Sequence, residues 1–388
     1  MRISADARQA SAVRERGPAA SADARSGNTG AGRFEAAPGI VVYTEGDALY
    51  SDMLAAIRSA RERVWLETYI LELDGVGRRF LAALRASARR GVDVRLHLDA
   101  VGSFGVPKRR TRRALRAAGV RLQRFRTWRW YLPGSYHRRD HRKLLVVDDT
   151  AAYLGGFNIT ARNSRRRLGD ERWRDTHLRM TGPLVDDARR AFAAFADRDP
   201  GWPPDRGGDV HLLPNHGRTC RYRLRCTLHD WFRSASHRIW LTTPYFVPDS
   251  GTRRHLVEAV RRGVDVRLLL PARSDVRIAR WAAHAAYAWL LCNGVRIFEY
   301  DSRMLHAKTI VVDGTRSTVG TANLDYRSLF QNFELNLVAE SRSLNATLTG
   351  IFQRDLCHAS EIRPRAWMRR PWPARIAEKV AWMARRWL

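Results

Sequence analysis

The chain is written twice, so any fold it adopts must accommodate two similar halves. The run "SARERVWLETYI" (59–70) returns as "SASHRIWLTTPYF" (234–246). "RRGVDVRLHL" (89–98) returns as "RRGVDVRLLL" (261–270), and "HRKLLVVDD" (141–149) returns as "HAKTIVVDG" (306–314). Each first block is a Ser-Ala helix end followed by an apolar, β-branched and aromatic run suited to a buried strand. Arg-Arg-Gly closes a helix, with Gly91 and Gly263 as left-handed caps. Val-Asp-Val-Arg-Leu then opens the next strand. Three blocks in one order argue against chance recurrence of helix–strand punctuation. The expected order in each half is strand, helix, strand, helix, strand, strand. The fold class that follows is α/β, with two pseudo-symmetric lobes, each a mixed sheet flanked by helices, and an active site at the lobe interface.

Segment boundaries follow from composition. Residues 1–38 are Ala/Arg/Ser/Gly-rich and are expected to form a disordered basic tail. The first lobe is expected over 39–200 and the second over 201–362, joined at "DRDPGWPPDRGGD" (197–209), where Pro and Gly concentrate. Residues 363–388 read as a Trp/Arg-rich amphipathic helix. Ile278 to Val295 is the most apolar stretch, but Arg280, His284 and Asn293 interrupt it, so it reads as a buried helix and not a membrane span. The four cysteines form no C-x2-C pair and are few for a disulfide framework, which points to a reducing compartment.

The third repeated block carries chemistry. In extended chain, residues i and i+2 face the same way. His141 and Lys143 therefore emerge side by side, as do His306 and Lys308. A phosphodiester needs this pair: a nucleophile or proton carrier, and a fixed positive charge on a non-bridging oxygen. Buried strands (144–147 and 309–312) anchor each pair, and Asp148 and Asp313 close them. Seventeen residues after each His stands an Asn just past a Gly turn, Asn158 and Asn323. A side-chain amide there can donate to the same phosphate, although Asn at a turn is often structural. A catalytic His also needs its other ring nitrogen held by an acceptor. Asp175 in "WRDTHL" and Glu334 in "NFELNL" are the candidates, with Glu171 as a second choice in the first half. The Asp and Glu lie in apolar, strand-like contexts where an unpaired carboxylate is costly.

Lysine usage supports the motif. Of 69 basic residues only Lys108, Lys143, Lys308 and Lys379 are lysine. Two motif positions both drawn as lysine by chance would occur about 0.3% of the time. An ammonium is a compact point charge where guanidinium is a wide fork. There is no phosphate-binding Gly-rich loop and no H-E-x-x-H helix. His137 and His141 are four apart but lack helix-interior context, so no metal site and no cofactor is expected.

These residues resemble the phospholipase D superfamily, whose signature is the paired H-x-K-x4-D motif followed by a Gly-turn Asn. The resemblance covers about residues 40 to 342. The blocks "LETYILELDGVGRRFLAAL", "DHRKLLVVDD…GGFNIT", "WRDTHLRMTGP", "TTPYFVPD" and "FQNFELNLV" are similar to those of bacterial cardiolipin synthases, in the branch without N-terminal membrane helices. The resemblance implies a phosphatidyltransferase that moves a phosphatidyl group from phosphatidylglycerol or phosphatidylethanolamine to the hydroxyl of another phosphatidylglycerol. It implies a phosphohistidine intermediate on His141, with His306 as acid and base. Lys143, Lys308, Asn158 and Asn323 would hold the phosphate, and Asp175 and Glu334 would orient the histidines. Asp148 and Asp313 complete the catalytic motifs as supporting residues. The superfamily also includes phospholipase D-type hydrolases and metal-independent nucleases.

The net charge of +30 selects a polyanionic partner, either nucleic acid or anionic membrane. Two segments favour lipid. After Pro371, Trp372, Ile376, Val380, Met383 and Trp387 form a helical stripe with Arg375, Lys379, Arg385 and Arg386 off it, the composition of an interfacial helix. The alternative is that this helix packs on the second lobe. "RTWRWYLPGSYHRR" (126–139), just before the first motif, interleaves Trp and Tyr with Arg and suits either a bilayer or stacked bases. The expected partners are anionic phospholipids and a membrane surface, with nucleic acid second. The expected location is the cytoplasmic face of a bacterial membrane, held peripherally.

Overall fold

The computed structural model describes residues 14–16, 32–106, 109–125, 137–196, 208–215 and 222–385. They build two lobes of the same plan. In the first, three parallel strands, Arg63–Thr68, Asp93–Asp99 and Arg121–Phe125, lie side by side. The strand Leu144–Val147 adds antiparallel to Arg63–Thr68, followed outward by Ala151–Gly155, His177–Met180, Ile40–Tyr43 and Arg33–Ala37. The second lobe repeats this with parallel strands Arg238–Thr242, Asp265–Pro271 and Arg296–Tyr300. Thr309–Val312 adds antiparallel to Arg238–Thr242, then come Arg316–Gly320, Leu335–Glu340 and Val210–Pro214. At its other edge Ala359–Ile362 pairs with Arg14–Arg16.

Period-two alternation places the core. Leu144 and Val146 face one cluster shared by both lobes, together with Trp65, Trp240, Val311, Val319 and Leu337. Leu145 and Val147 face the first lobe's own core, and Ile310 and Val312 face the second's. Both faces of each motif strand are therefore apolar, which is why "LLVV" and "TIVV" read as continuous runs. Helices Pro183–Ala196 and Arg342–Leu356 fill the shared core through Ala188, Phe192, Leu348 and Phe352. The outer helices start on side-chain caps: Asp74 accepts from Val76 and Gly77 N–H, and Asp249 from Thr252 N–H. Gly91 and Gly263 sit at φ +91° and +89°, the left-handed caps expected from the sequence.

Three expectations change. Each half contains an additional strand before its motif, Arg121–Phe125 and Arg296–Tyr300. "RLQRF" is a half-exposed edge and lacks the apolar run that marks a buried strand. Residues 33–37 are not part of a disordered tail; Gly39, at φ +76°, turns them back onto Ile40–Tyr43. The C-terminal segment forms two helices, Pro364–Met368 and Trp372–Met383. Trp372–Met383 packs on the helix Arg277–Cys292 through Glu378, Ala381 and Trp382, while Trp372, Ile376, Val380 and Met383 stay exposed. Most of the inter-lobe linker and residues 126–136 lie outside the described residues. Among the described residues no helix is long and apolar enough to cross a membrane.

Candidate active site

Each motif is stitched to the opposite lobe. His141 N–H donates to the Phe333 carbonyl at 3.0 Å, and Phe333 N–H to the Arg139 carbonyl at 2.8 Å. The mirror contact is His306 N–H to the Arg174 carbonyl at 2.7 Å, with Arg174 N–H on the Met304 carbonyl at 2.8 Å. These short parallel bridges place each histidine beside the residue that follows the bridging position in the other lobe. Those residues are the two acids. His141 Nδ1 meets Glu334 Oε2 at 3.0 Å, and His306 Nδ1 meets Asp175 Oδ2 at 2.5 Å. All four side chains are buried.

The sequence singled out both acids as histidine partners without assigning either to one histidine. The geometry crosses them. Glu171, the second choice, is exposed on the surface near Arg273, at 3.8 Å. Two buried ion pairs brace the stitched segments. Arg139 grips Asp99 at 2.9 Å, and Arg174 grips Asp355, on the other lobe's helix, at 2.7 Å. Removing one partner of such a pair typically costs about 3–5 kcal/mol, because the other charge is left buried.

The lysines converge on the same place. Lys143 Nζ donates to the His141 carbonyl at 2.7 Å, and Lys308 Nζ donates to the His306 carbonyl and lies 2.8 Å from His306 Nδ1. Asp175 lies 3.8 Å from Lys308. Burial pushes Lys143 down to about 7, aided by repulsion from Lys308, and pushes Lys308 down to about 8. A pair of ammonium groups held in a buried site without counter-charge enough to offset burial is a receptor for an anion. Burial also lowers His141 and brings His306 to about 4, with Lys308 adding to the second shift. Both imidazoles are thus neutral near pH 7. With Nδ1–H given to a carboxylate, Nε2 keeps its lone pair. Asp175 and Glu334 stay below the usual carboxylate range despite their burial, because each faces a lysine and a histidine.

The two asparagines differ. Asn158 accepts the Ile70 N–H through Oδ1 at 3.1 Å, leaving its NH2 as the donor. Asn323 Oδ1 is buried with no hydrogen-bond partner among the described residues. The two motif aspartates are elsewhere. Asp148 accepts from Arg61, Glu62 and Arg63 N–H at 2.8–3.0 Å, and Asp313 from Ser236, His237 and Arg238 N–H. At ~3.3 Å per residue the intervening strand carries each on the order of 15 Å from its lysine. Both sit at positive φ, +48° and +53°, where a short acid can still hydrogen-bond locally. They pin the start of the neighbouring parallel strand and so hold the motif strand in register, a supporting place in the motif.

Sequence reading passed over the aromatic walls. The Tyr69 ring packs on His141 at 4.9 Å with Lys143 5.6 Å from its centre. Trp173 lies 5.3 Å from His306, and Tyr245, the repeat partner of Tyr69, lies 6.5 Å away. The signal was present: both tyrosines stand next to last in the first repeated block, one and three residues beyond its strand.

A fold of two such lobes with a shared pair of His-Lys half-sites defines the phospholipase D class. The family described as cardiolipin synthase, PLD-like domain, matches residues 53–171 and 228–356. The chain is 35% identical over 355 residues to a cardiolipin synthase of Geobacillus kaustophilus, covering 88% of this chain and 70% of that protein. It is 36% identical over 330 residues to cardiolipin synthase A of Pseudomonas fluorescens, covering 82% and 68%. Among solved structures, a phosphatidylserine synthase of Haemophilus influenzae superposes with a TM-score of 0.68 at 13% identity, covering 91% of this chain and 96% of that one, a likeness of fold. The chain belongs to the phospholipase D-like cardiolipin synthase family and is a phosphatidyltransferase enzyme.

Proposed function

We propose that the enzyme forms cardiolipin from two molecules of phosphatidylglycerol by way of a phosphohistidine, with phosphatidylethanolamine as the other possible donor. The observation that carries this is the crossed pair of His–carboxylate dyads around two buried lysines. Lys143 and Lys308 hold the phosphodiester oxygens, joined by the amides of Asn158 and Asn323. His141 Nε2 attacks phosphorus, a P–N bond forms, and the P–O bond to the leaving glycerol breaks. As the phosphodiester anion enters beside Lys308, His306 takes up a proton from water at Nε2 and gives it to that oxygen. The second phosphatidylglycerol then enters, His306 takes its hydroxyl proton, and the new P–O bond displaces His141. Glycerol and cardiolipin are the products.

The division of labour follows from the carboxylates. Glu334 Oε2 divides itself between His141 and the Thr321 hydroxyl, at 2.6 Å, whereas among the described residues Asp175 Oδ2 takes no hydroxyl and faces His306, with Lys308 at 3.8 Å. The acid shared with no hydroxyl suits the histidine that must carry a proton. Burial and Lys308 hold His306 neutral in the empty site, and an incoming phosphodiester anion offsets the lysine.

The enzyme works peripherally on the cytoplasmic face of a bacterial membrane. The exposed stripe Trp372, Ile376, Val380 and Met383, beside exposed Arg375 and Lys379, supports contact with anionic lipid even though the opposite face of that helix packs on the second lobe. Vesicles of phosphatidylglycerol incubated with the protein are expected to yield cardiolipin and glycerol, and His141→Ala or His306→Ala to yield neither. Unchanged phosphatidylglycerol with the native chain, alone or with phosphatidylethanolamine, overturns the proposal.

A further inference from the structure

Parallel strands open a crevice at their carboxyl ends, and ligands enter there. In the first lobe, strand Asp93–Asp99 runs into the loop 100–106. In the second, its repeat Asp265–Pro271 runs into the loop 272–276 and the first turn of the helix Arg277–Cys292, the positions 172 further on. Both loops are tied to the site's tyrosines. Ser103 Oγ donates to the Tyr69 carbonyl at 2.8 Å, and Gly102 lies so close that a Cβ there would sit 2.4 Å from that oxygen. Asp275 accepts from the Tyr245 hydroxyl at 2.6 Å. The residues next to these anchors are large, apolar and exposed. Phe104 is 82% exposed, with Val101 beside it. Val276 and Ile278, and Trp281 one turn on, are about 40% exposed on the other side.

Single exposed apolar side chains are ordinary. Here, pseudo-symmetric segments place them on both sides of one polar site. Exposed arginines flank them: Arg109, Arg110 and Arg113 on the helix after the first loop, Arg273 in the second loop and Arg277 at the start of the helix after it. An apolar rim edged with guanidinium groups complements the acyl region and phosphate layer of an anionic bilayer.

Building on the phosphatidyltransferase reading, we infer that the mouth of the active site is itself the membrane-docking surface: Phe104 and Val101 enter the bilayer on one side, and Val276, Ile278 and Trp281 on the other. The lysines and histidines then meet a headgroup at the depth where it already lies. A phosphatidyl group reaches them without leaving its leaflet.

The test is co-sedimentation with vesicles of equimolar phosphatidylglycerol and phosphatidylcholine, done in the His141→Ala protein so that no lipid is turned over. Adding Phe104→Ser and Ile278→Ser is expected to weaken partitioning roughly tenfold for each side chain removed from the acyl layer. Melting temperature and solution mass by light scattering are expected to stay unchanged, since both residues are exposed. Undiminished vesicle binding overturns the inference. So does a change of solution mass, which makes the rim a contact between copies of this chain. Because binding is read in a silent enzyme, failure here leaves the transfer reaction standing, and absence of cardiolipin synthesis leaves the docking result standing.

Discussion

The two half-sites are alike in parts and unlike in balance. Each has a histidine, a lysine two residues on, an asparagine seventeen on, a tyrosine wall and a carboxylate from the other lobe. In the first, the histidine leans on a carboxylate shared with Thr321, and its lysine donates to the His141 carbonyl and lies by the Tyr69 ring. In the second, the carboxylate is closer, Lys308 lies against the imidazole, and Trp173 adds a second ring. A duplicated motif thus yields two environments, which is what two different proton roles require. It also yields an obligate unit, because neither lobe contains both a histidine and that histidine's acid.

Replacing either histidine by alanine is expected to have the largest effect, on the order of 10⁴-fold or more in transfer rate. A donor with a p-nitrophenol leaving group separates the two, since that group departs without a proton. His306→Ala should still release one equivalent of p-nitrophenolate and retain the phosphatidyl group on His141, and His141→Ala should release none. A burst from His141→Ala would reverse the assignment.

The acids come next. Asp175→Asn is expected to lower kcat by about 10³-fold and Glu334→Gln by about 10²-fold, because only the first removes the acid that holds the proton-carrying histidine. Equal losses would show that the difference in hydrogen bonding does not matter to the chemistry.

The lysines set the alkaline limit. Each has its pKa lowered by burial, so each is charged below that value and loses its charge as pH rises through it. For the empty enzyme kcat/KM should therefore fall between about pH 7, where Lys143 titrates, and about pH 8, where Lys308 does. Lys143→Arg should move the onset of that fall toward pH 8, at a cost of roughly tenfold in rate. An onset left in place would assign the limb to another group. The smallest effect is expected from Tyr69→Phe, which keeps the ring on His141 and should change kcat less than about threefold.

Much of this was legible in the sequence because duplication and period-two alternation are local signals. The blocks around Gly91 and Gly263 gave helix end and strand start, and His-x-Lys gave a shared face. The pairing of acids was not legible. His141 and Glu334 are 193 residues apart, and nothing local distinguishes an acid that serves its own lobe from one that serves the other. The work of Asp148 and Asp313 was hidden for the opposite reason. Their spacing from the histidine is fixed, but by the length of the strand between them, whose far end needs an acceptor for backbone amides. The strand Arg121–Phe125 was missed because an edge strand half open to water carries no apolar run.

Crossed pairing is the claim on which the rest depends, and a histidine-selective ¹⁵N NMR titration tests it without relying on activity. Glu334→Gln is predicted to shift the titration of His141 and leave His306 in place, and Asp175→Asn to shift His306 and leave His141. If each substitution instead moved the histidine of its own lobe, the account of one site built across two lobes would be contradicted.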